Sequence, residues 1–205
     1  NPSAVRRAAT PESAACEEPL FNGGTMAYLF SVALGPAQEF IAAARRTRDP
    51  WLSSWLLSEL SKAAARAIGA GNLIVPAVDS DGDLHPGSRL TVANKILAKV
   101  DAEPPQLSAC VRQAVKTRLQ EIREEAFRQL PDAAYDRSRA IAQIDDLPEI
   151  YCAAVPLIEG EYKASRRQVE ALLAARKNTR NFRPTREWAG NEYKSSLDGL
   201  RESVI

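Results

Sequence analysis

The chain contains few of the residues from which metal centres and disulfide frameworks are built. Three cysteines and one histidine are present among its 205 residues. The cysteines, Cys16, Cys110 and Cys152, lie far apart and none belongs to a C-x-x-C pair, so we expect no structural zinc site. Cysteines without a disulfide framework are typical of a reducing cytoplasm, which is the location that we expect.

Long apolar runs and an excess of charge are also missing. No apolar stretch approaches the roughly 20 residues of a membrane-spanning helix, so we expect no membrane association. The formal net charge is +1, so nucleic acid would have to be held by local basic patches rather than by the whole surface. A hydrophobic content of 45% and a charged content of 26% are ordinary for a globular protein with a sizeable core.

Residues 1–25 differ from the rest of the chain. They contain proline, alanine and glutamate without periodicity, and no apolar segment typical of a signal peptide. We interpret them as a flexible leader or the remnant of a preceding domain, with a helical docking arm as the alternative.

The most informative stretch begins with apolar residues 28–34, which predict a strand buried on both faces. Gly35 and Pro36 predict a tight corner directly after this strand. Helical spacing then predicts a helix from Pro36 to about Ile68. We expect it to be bent or divided at Asp49–Pro50, because proline removes a backbone hydrogen bond.

The remaining pattern predicts a helix-rich α+β layer arrangement with a small sheet. In the last predicted helix, Val169, Leu172 and Leu173 are expected to face the core. Strands are predicted over residues 73–75 and 149–155, and helices over residues 91–100, 104–130, 135–144 and 164–176.

The first candidate site is a basic cluster, Arg45, Arg46 and Arg48, which is closed by Asp49. Guanidinium groups match the geometry of phosphate oxygens. Arg45 and Arg48 are three residues apart, so their side chains can converge on one anion. The ordinary alternative is a solvated helix face with an internal ion pair.

The corner Gly35-Pro36-x-Gln38 is a second candidate, because free amides at the start of a helix attract phosphate. No P-loop or dinucleotide-binding glycine motif accompanies it, so a simple tight turn is the alternative. Ser54 and Ser58 lie in the polar breaks of the predicted helix. They could touch the same ligand or be ordinary helix-surface serines.

The third candidate is a basic and aromatic stretch near the end of the chain. Cations contact backbone phosphates and aromatic rings stack on unpaired bases, so the stretch favours single-stranded RNA. The alternative is a helix face followed by a basic loop. The candidate RNA-binding residues are Arg176, Lys177, Arg180, Phe182, Arg183 and Arg186.

Three further patterns are weaker. In residues 79–83 the glycine is in the fourth position rather than the sixth, which favours a polar turn over a calcium loop. His85 has no serine or cysteine partner nearby in the sequence. Asp145 and Asp146 precede a predicted strand and are the one carboxylate pair that could bind magnesium in a small cyclase.

The stretch over residues 27–61, with GPxQ, FI, xxAR, xxRD and LLSEL in that order, resembles a known family. LIVP, ANK, EIYCAAVPL and KSSLDGLRESVI follow in the right order. The resemblance is to the first palm domain of the large polymerase/cyclase-like subunit of type III-B (Cmr-type) CRISPR RNA-guided effector complexes. It implies a ferredoxin-like palm elaborated with inserted helices over residues 26–180. Residues 181–205 would then be the truncated start of the following segment.

The same resemblance implies a function in antiviral defence. In that family, target-RNA binding triggers cyclisation of ATP into cyclic oligoadenylate, with ATP and Mg²⁺ or Mn²⁺ held where two palm domains meet. The metal-binding Gly-Gly-Asp-Asp motif belongs to the second palm and is not found here, so we expect this chain to be catalytically silent and to bind neither ATP nor metal tightly by itself. It would form one wall of the ATP pocket, with Gly35, Pro36, Gln38, Arg45, Arg48, Ser54 and Ser58 as nucleotide contacts.

The implied partners are the other effector subunits, the guide RNA, the target RNA and the second palm domain. Two alternatives from other classes stay open. One is a free-standing single-stranded RNA-binding module, which would bind RNA tightly and with strong salt dependence. The other is a small metal-dependent nucleotide cyclase that uses Asp145 and Asp146.

Overall fold

The first strand, β1 (Tyr28–Gly35), is the centre of the fold. The structure is a computed structural model that describes residues 26–38, 42, 44, 46–131, 134–179, 193–194 and 202–204. Leu29, Phe30 and Val32 of β1 are at most 1% exposed, although their side chains point alternately to opposite faces. The prediction of a strand covered on both faces is confirmed.

Four antiparallel strands form the sheet, in the order β2-β3-β1-β4. β2 (Leu73–Val75) and β4 (Glu149–Pro156) are the two edges, and β3 (Lys95–Val100) pairs with both β1 and β2. Val32 of β1 lies opposite Ile96 of β3 on one side and opposite Cys152 of β4 on the other. The predicted strands over residues 73–75 and 149–155 are thus confirmed.

Helices cover both faces of this sheet. The helices are α1 (Arg48–Ile68), α2 (Pro104–Phe127), α3 (Arg137–Asp145) and α4 (Tyr162–Asn178). One face of the sheet packs on α1 and α2 through side chains such as Phe30, Val32, Leu60 and Val111. The other face packs on α4 through Leu29, Val155 and Val169, among others. None of these helices is long and apolar enough to cross a membrane.

The prediction of a helix over residues 91–100 is wrong, because Lys95–Val100 forms β3. Ile96, Leu97 and Ala98 are all at most 3% exposed, since this strand lies between β1 and β2 with helices on both faces. In a short run of apolar residues, hydrophobic periodicity cannot distinguish a buried strand from a buried helix. The prediction therefore followed the helix propensity of alanine, leucine and lysine, which tertiary packing overrides here.

The predicted helix from Pro36 to Ile68 is divided, as one of the two expected forms has it, but the division lies before Arg48 and not at Asp49–Pro50. Residues 37, 38 and 42 are helical, but Ala44, Arg46 and Thr47 are not, and α1 begins at Arg48. The Asp49 carboxylate accepts a hydrogen bond from the Arg46 amide at 2.8 Å, and the Asp49 amide donates to the Arg46 carbonyl at 2.9 Å. Pro50 lies in the first turn of α1, where its missing N–H leaves no helix bond unmade.

Leu172 also departs from its prediction. It is 45% exposed, whereas Val169 and Leu173 are buried as expected. Val169 and Leu173 are four residues apart and lie one above the other on the same helix face, and Leu172 lies to the side of that line.

A buried ionic network joins α1 to α2 and to the loop before β3. The Glu59 side chain is 1% exposed and accepts hydrogen bonds from Lys62 at 2.9 Å and from Arg118 at 2.6 Å. The Gly87 amide donates to the same carboxylate at 3.2 Å, and Lys62 also donates to the Ser88 carbonyl at 2.9 Å. Burial alone would raise the pKa of Glu59, but these donors hold the pKa below its ordinary value of 4.5.

We predict that Glu59→Gln lowers the free energy of unfolding by about 3 kcal/mol at pH 7, because the buried Lys62 loses its counter-charge and Arg118 loses one of its two carboxylate partners. A carboxyl whose pKa is lowered by folding stabilises the protein above its ordinary pKa of 4.5, and this contribution is lost as the pH falls through the folded value. The difference between the wild type and the variant should therefore shrink in acid. Urea denaturation at pH 7 and at pH 4 measures both effects.

Glu121→Gln is the matched control, since Glu121 also pairs with Arg118 but is 54% exposed. It should change the free energy of unfolding by less than about 1 kcal/mol. Equal losses in the two variants would show that the buried network does not hold α1 and α2 together.

Candidate functional site

A cleft opens at the end of the sheet where β1 finishes. Its volume is about 550 Å³. It brings together the end of β1, the start of β4, the loop before β3 and the last residues of α4. The lining residues are Leu34, Gly35, Pro36, Ala37, Gln38, Asn94, Glu149, Tyr151, Lys177 and Asn178.

The pairing of β1 with β4 places a carboxylate beside the last residue of β1. Gly35 lies directly opposite Glu149 in the pairing of β1 with β4. A Cβ atom on Gly35 would lie 3.2 Å from Glu149 Oε2, so the absence of a side chain leaves room for the carboxylate. Two residues further along β4, the Tyr151 hydroxyl donates to Glu149 Oε2 at 3.2 Å.

Asn94 fixes the opposite side of the cleft. Its side-chain amide donates to the Leu34 carbonyl at 3.0 Å, and the Leu34 amide donates to the Asn94 carbonyl at 2.8 Å. These two bonds continue the β1–β3 pairing by one residue. The end of β1 is therefore held on both of its sides when it reaches the corner at Gly35.

Lys177 and Asn178 reach the cleft from the last turn of α4. The Lys177 side chain is exposed, and its ammonium group forms no ion pair with any residue that the structure describes. The described lining residues thus combine one cation and one carboxylate with the neutral amides of Gln38, Asn94 and Asn178. Such a set can bind a polar organic ligand through several hydrogen bonds.

A comparison with protein-family models identifies the family. The model described as CRISPR-associated protein Cmr2, N-terminal, matches residues 29–178. The chain belongs to this Cmr2 N-terminal family. Membership confirms the predicted type III CRISPR subunit and, with it, a place in a multi-subunit effector complex. A search of curated proteins finds no match.

The structure divides the predicted nucleotide-binding residues into two groups. Gly35, Pro36 and Gln38 line the cleft together. Arg48 is exposed at the start of α1 and does not line the cleft, and Arg45 lies outside the described residues. The predicted convergence of these two guanidinium groups on one anion stays a prediction.

The two serines of α1 have different surroundings, and neither lines the cleft. Ser54 is exposed on the helix surface. Ser58 is 6% exposed, and its hydroxyl oxygen accepts a hydrogen bond from the Val92 amide at 3.0 Å. Ser58 therefore ties the loop before β3 to α1, a role that its position in the sequence did not reveal.

Of the predicted RNA-binding residues, the structure describes Arg176 and Lys177. The Arg176 guanidinium donates to the carbonyl and hydroxyl oxygens of Thr179, at 2.8 Å and 2.9 Å, and so closes the end of α4. Lys177 belongs to the cleft as well as to the predicted RNA surface. The other four, Arg180, Phe182, Arg183 and Arg186, lie outside the described residues.

The weaker candidates have local explanations. The Asp83 carboxylate accepts hydrogen bonds from the Asp79 and Ser80 amides, both at 3.1 Å, so the acidic loop is the predicted polar turn. Asp145 pairs with Arg123 at 3.0 Å. Among the described residues, no group of three or more His, Cys, Asp or Glu side chains is placed to hold a metal ion.

Four polar cleft residues were missed as site candidates: Asn94, Glu149, Tyr151 and Asn178. Asn94 belongs to the ANK segment, and Glu149 and Tyr151 belong to EIYCAAVPL, so these three lie in segments that carried the family resemblance. The available signal was the position of Glu149 and Tyr151 at the start of a strand that could pair with β1.

We predict that Ser58→Ala lowers the free energy of unfolding by about 1–3 kcal/mol, because the buried Val92 amide loses its acceptor. The matched control is Ser54→Ala on the exposed surface of the same helix, with a change within about 0.5 kcal/mol. Thermal and urea unfolding of the two variants measure the difference. Equal stabilities would contradict the structural role of Ser58.

Proposed function

We propose that this chain is the non-catalytic palm half of an ATP-binding cleft in a type III CRISPR large subunit. The other half is a second palm domain, which carries the metal-dependent chemistry that makes cyclic oligoadenylate. The observation that carries the proposal is the cleft at the end of β1. It joins the Gly35-Pro36-x-Gln38 corner to Lys177, residues that lie far apart in the sequence.

The topology supports a ferredoxin-like palm. The elements follow the order β-α-β-β-α-β, with α3 as an additional helix before β4 and α4 after it. The strand order β2-β3-β1-β4 places β1 and β3 in the middle, as in a split β-α-β arrangement. In such a sheet the two crossover helices cover one face, as α1 and α2 do.

The chemistry of the cleft suits one side of a nucleotide. The Lys177 ammonium can attract a phosphate, and the amides of Gln38 and Asn178 can bond to the edge of a base. Glu149 is the one carboxylate among the described lining residues, and a single carboxylate does not fit a Mg²⁺ or Mn²⁺ site. We therefore assign the metal ligands to the second palm, and we expect this chain by itself to bind ATP weakly.

Protein-observed NMR tests this proposal, because it detects weak binding to the isolated chain. We predict that ATP shifts the backbone amide signals of Gln38, Asn94 and Lys177, with a Kd of about 1 mM or weaker. Lys177→Gln should raise the Kd about fivefold, because the variant loses the one cation among the described residues of the cleft.

The matched control is Lys163→Gln, which removes the same charge from the first turn of α4, outside the cleft. It should leave the Kd within about twofold of the wild type, since an exposed charge outside the site acts through a screened field. The proposal fails if ATP moves no cleft amide, or if both lysine variants weaken binding equally.

A second candidate function is contact with guide RNA along α4. This helix carries five cations and one acidic residue, Glu170. Glu170 is itself paired with Lys95 at 3.1 Å and with Arg166 at 3.5 Å. A helix with this charge balance, followed by the predicted basic and aromatic stretch, favours contact with the backbone of single-stranded RNA.

Salt dependence measures this binding. We predict that the triple variant Arg180→Gln, Arg183→Gln, Arg186→Gln reduces the slope of log K against log salt by about 0.7 for each phosphate that the variant no longer neutralises. The control triple variant removes exposed cations from other elements, at Arg89, Lys116 and Arg128. Fluorescence anisotropy with a 20-nucleotide RNA gives the slopes of both triple variants. Equal slopes would contradict the prediction that these arginines bind RNA.

Tight RNA binding by the isolated chain would instead favour a free-standing RNA-binding module. The subunit proposal expects weak binding until the neighbouring subunits are present.

A further inference from the structure

The Glu149 carboxylate is the chemically distinctive group of the cleft. It lies at the start of β4 beside the end of β1, and Gly35 leaves the space that it occupies. Among the described residues, the Tyr151 hydroxyl is its one hydrogen-bond partner, through Oε2 at 3.2 Å. A half-buried carboxylate that lines an open cleft is hydrated, so a ligand that displaces this water must supply hydrogen-bond donors in its place.

Phosphate does not satisfy this requirement. A carboxylate repels a phosphate, and the carboxyl end of α4, which closes the same cleft, carries a partial negative charge. Lys177 is the one cation among the lining residues that the structure describes. The part of a nucleotide next to Glu149 must therefore be neutral and must donate hydrogen bonds.

The ribose hydroxyls have this chemistry. Adjacent 2′- and 3′-hydroxyl groups can donate together to the oxygens of one carboxylate, which is how acidic residues hold ribose in dinucleotide-binding folds. The Tyr151 hydroxyl orients the carboxylate from its Oε2 side and leaves Oε1 for the ligand. The exocyclic amino group of a base is the other neutral donor that a nucleotide offers. Comparing ATP with 2′-deoxy-ATP distinguishes the two donors, because only the ribose differs between these nucleotides.

Building on the proposed nucleotide cleft, we propose that Glu149 binds the ribose hydroxyls and selects ribonucleotides over 2′-deoxyribonucleotides. Tyr151 acts as a positioning residue that holds the carboxylate towards the ligand. The phosphates then extend towards Lys177 or out of the cleft towards the second palm.

The test compares ATP with 2′-deoxy-ATP by NMR titration of the full chain. The wild type should bind ATP about tenfold more tightly, as expected for one hydrogen bond to a charged group. Glu149→Ala should weaken ATP binding below the level of 2′-deoxy-ATP with the wild type, because both hydroxyl groups lose their acceptor, and should bring the ratio of the two Kd values close to one. Glu149→Gln should keep part of the preference, because its amide oxygen still accepts a hydrogen bond.

Two further variants distinguish an effect on the preference for ATP over 2′-deoxy-ATP from an effect on the affinity for both nucleotides. Tyr151→Phe should lower the ratio of Kd values without abolishing it, because the carboxylate stays but loses its orientation. Lys177→Gln should weaken both nucleotides equally and leave the ratio unchanged. A loss of binding with an unchanged ratio in Glu149→Ala would assign the carboxylate to the base instead of the ribose, and would overturn the inference.

The failure of this inference and the failure of the proposed function give different results. Equal binding of ATP and 2′-deoxy-ATP by the wild type, with shifts at the cleft amides, overturns ribose selection and leaves the nucleotide cleft in place. No shift at the cleft amides with either nucleotide overturns both.

Discussion

Burial of β1 on both faces is the constraint on which the rest of the structure depends. Phe30, Val32 and Leu34 pack towards α1 and α2, while Leu29 and Ala33 pack towards α4. The strand also has a hydrogen-bonded neighbour on each side. A strand surrounded in this way cannot shift its register by one residue without moving every side chain to the wrong face. The corner that follows it, and the cleft built on that corner, are therefore fixed in position.

Sequence reasoning predicted the elements whose pattern is local. The apolar run of β1, the regular spacing of apolar residues along α2 and the start of α1 near Pro50 can all be read from residues that are close in the sequence. β3 was missed because its apolar run is equally compatible with helix and strand, and only the pairing with β1 and β2 decides between them.

The residues of the cleft likewise divide into those that a local sequence pattern predicts and those that depend on strand pairing. The motif at Gly35, Pro36 and Gln38 was predicted from its own residues, and these three do share a cleft. Asn94, Glu149 and Tyr151 join that cleft through antiparallel pairing, which places residues far apart in the sequence opposite each other. No local pattern contains that information. Lys177 was predicted for RNA, and its position beside the corner connects the two proposed binding functions.

The wide separation of the lining residues in the sequence has a consequence for folding. The first lining residue is Leu34 and the last is Asn178, so the cleft requires almost the whole described domain. Contacts of such long sequence separation form slowly and cost loop-closure entropy. During synthesis, a polypeptide that ended before α4 would expose the apolar side of the sheet at Leu29 and Val155. The helix that covers this surface, α4, is thus also the helix that completes the cleft with Lys177 and Asn178.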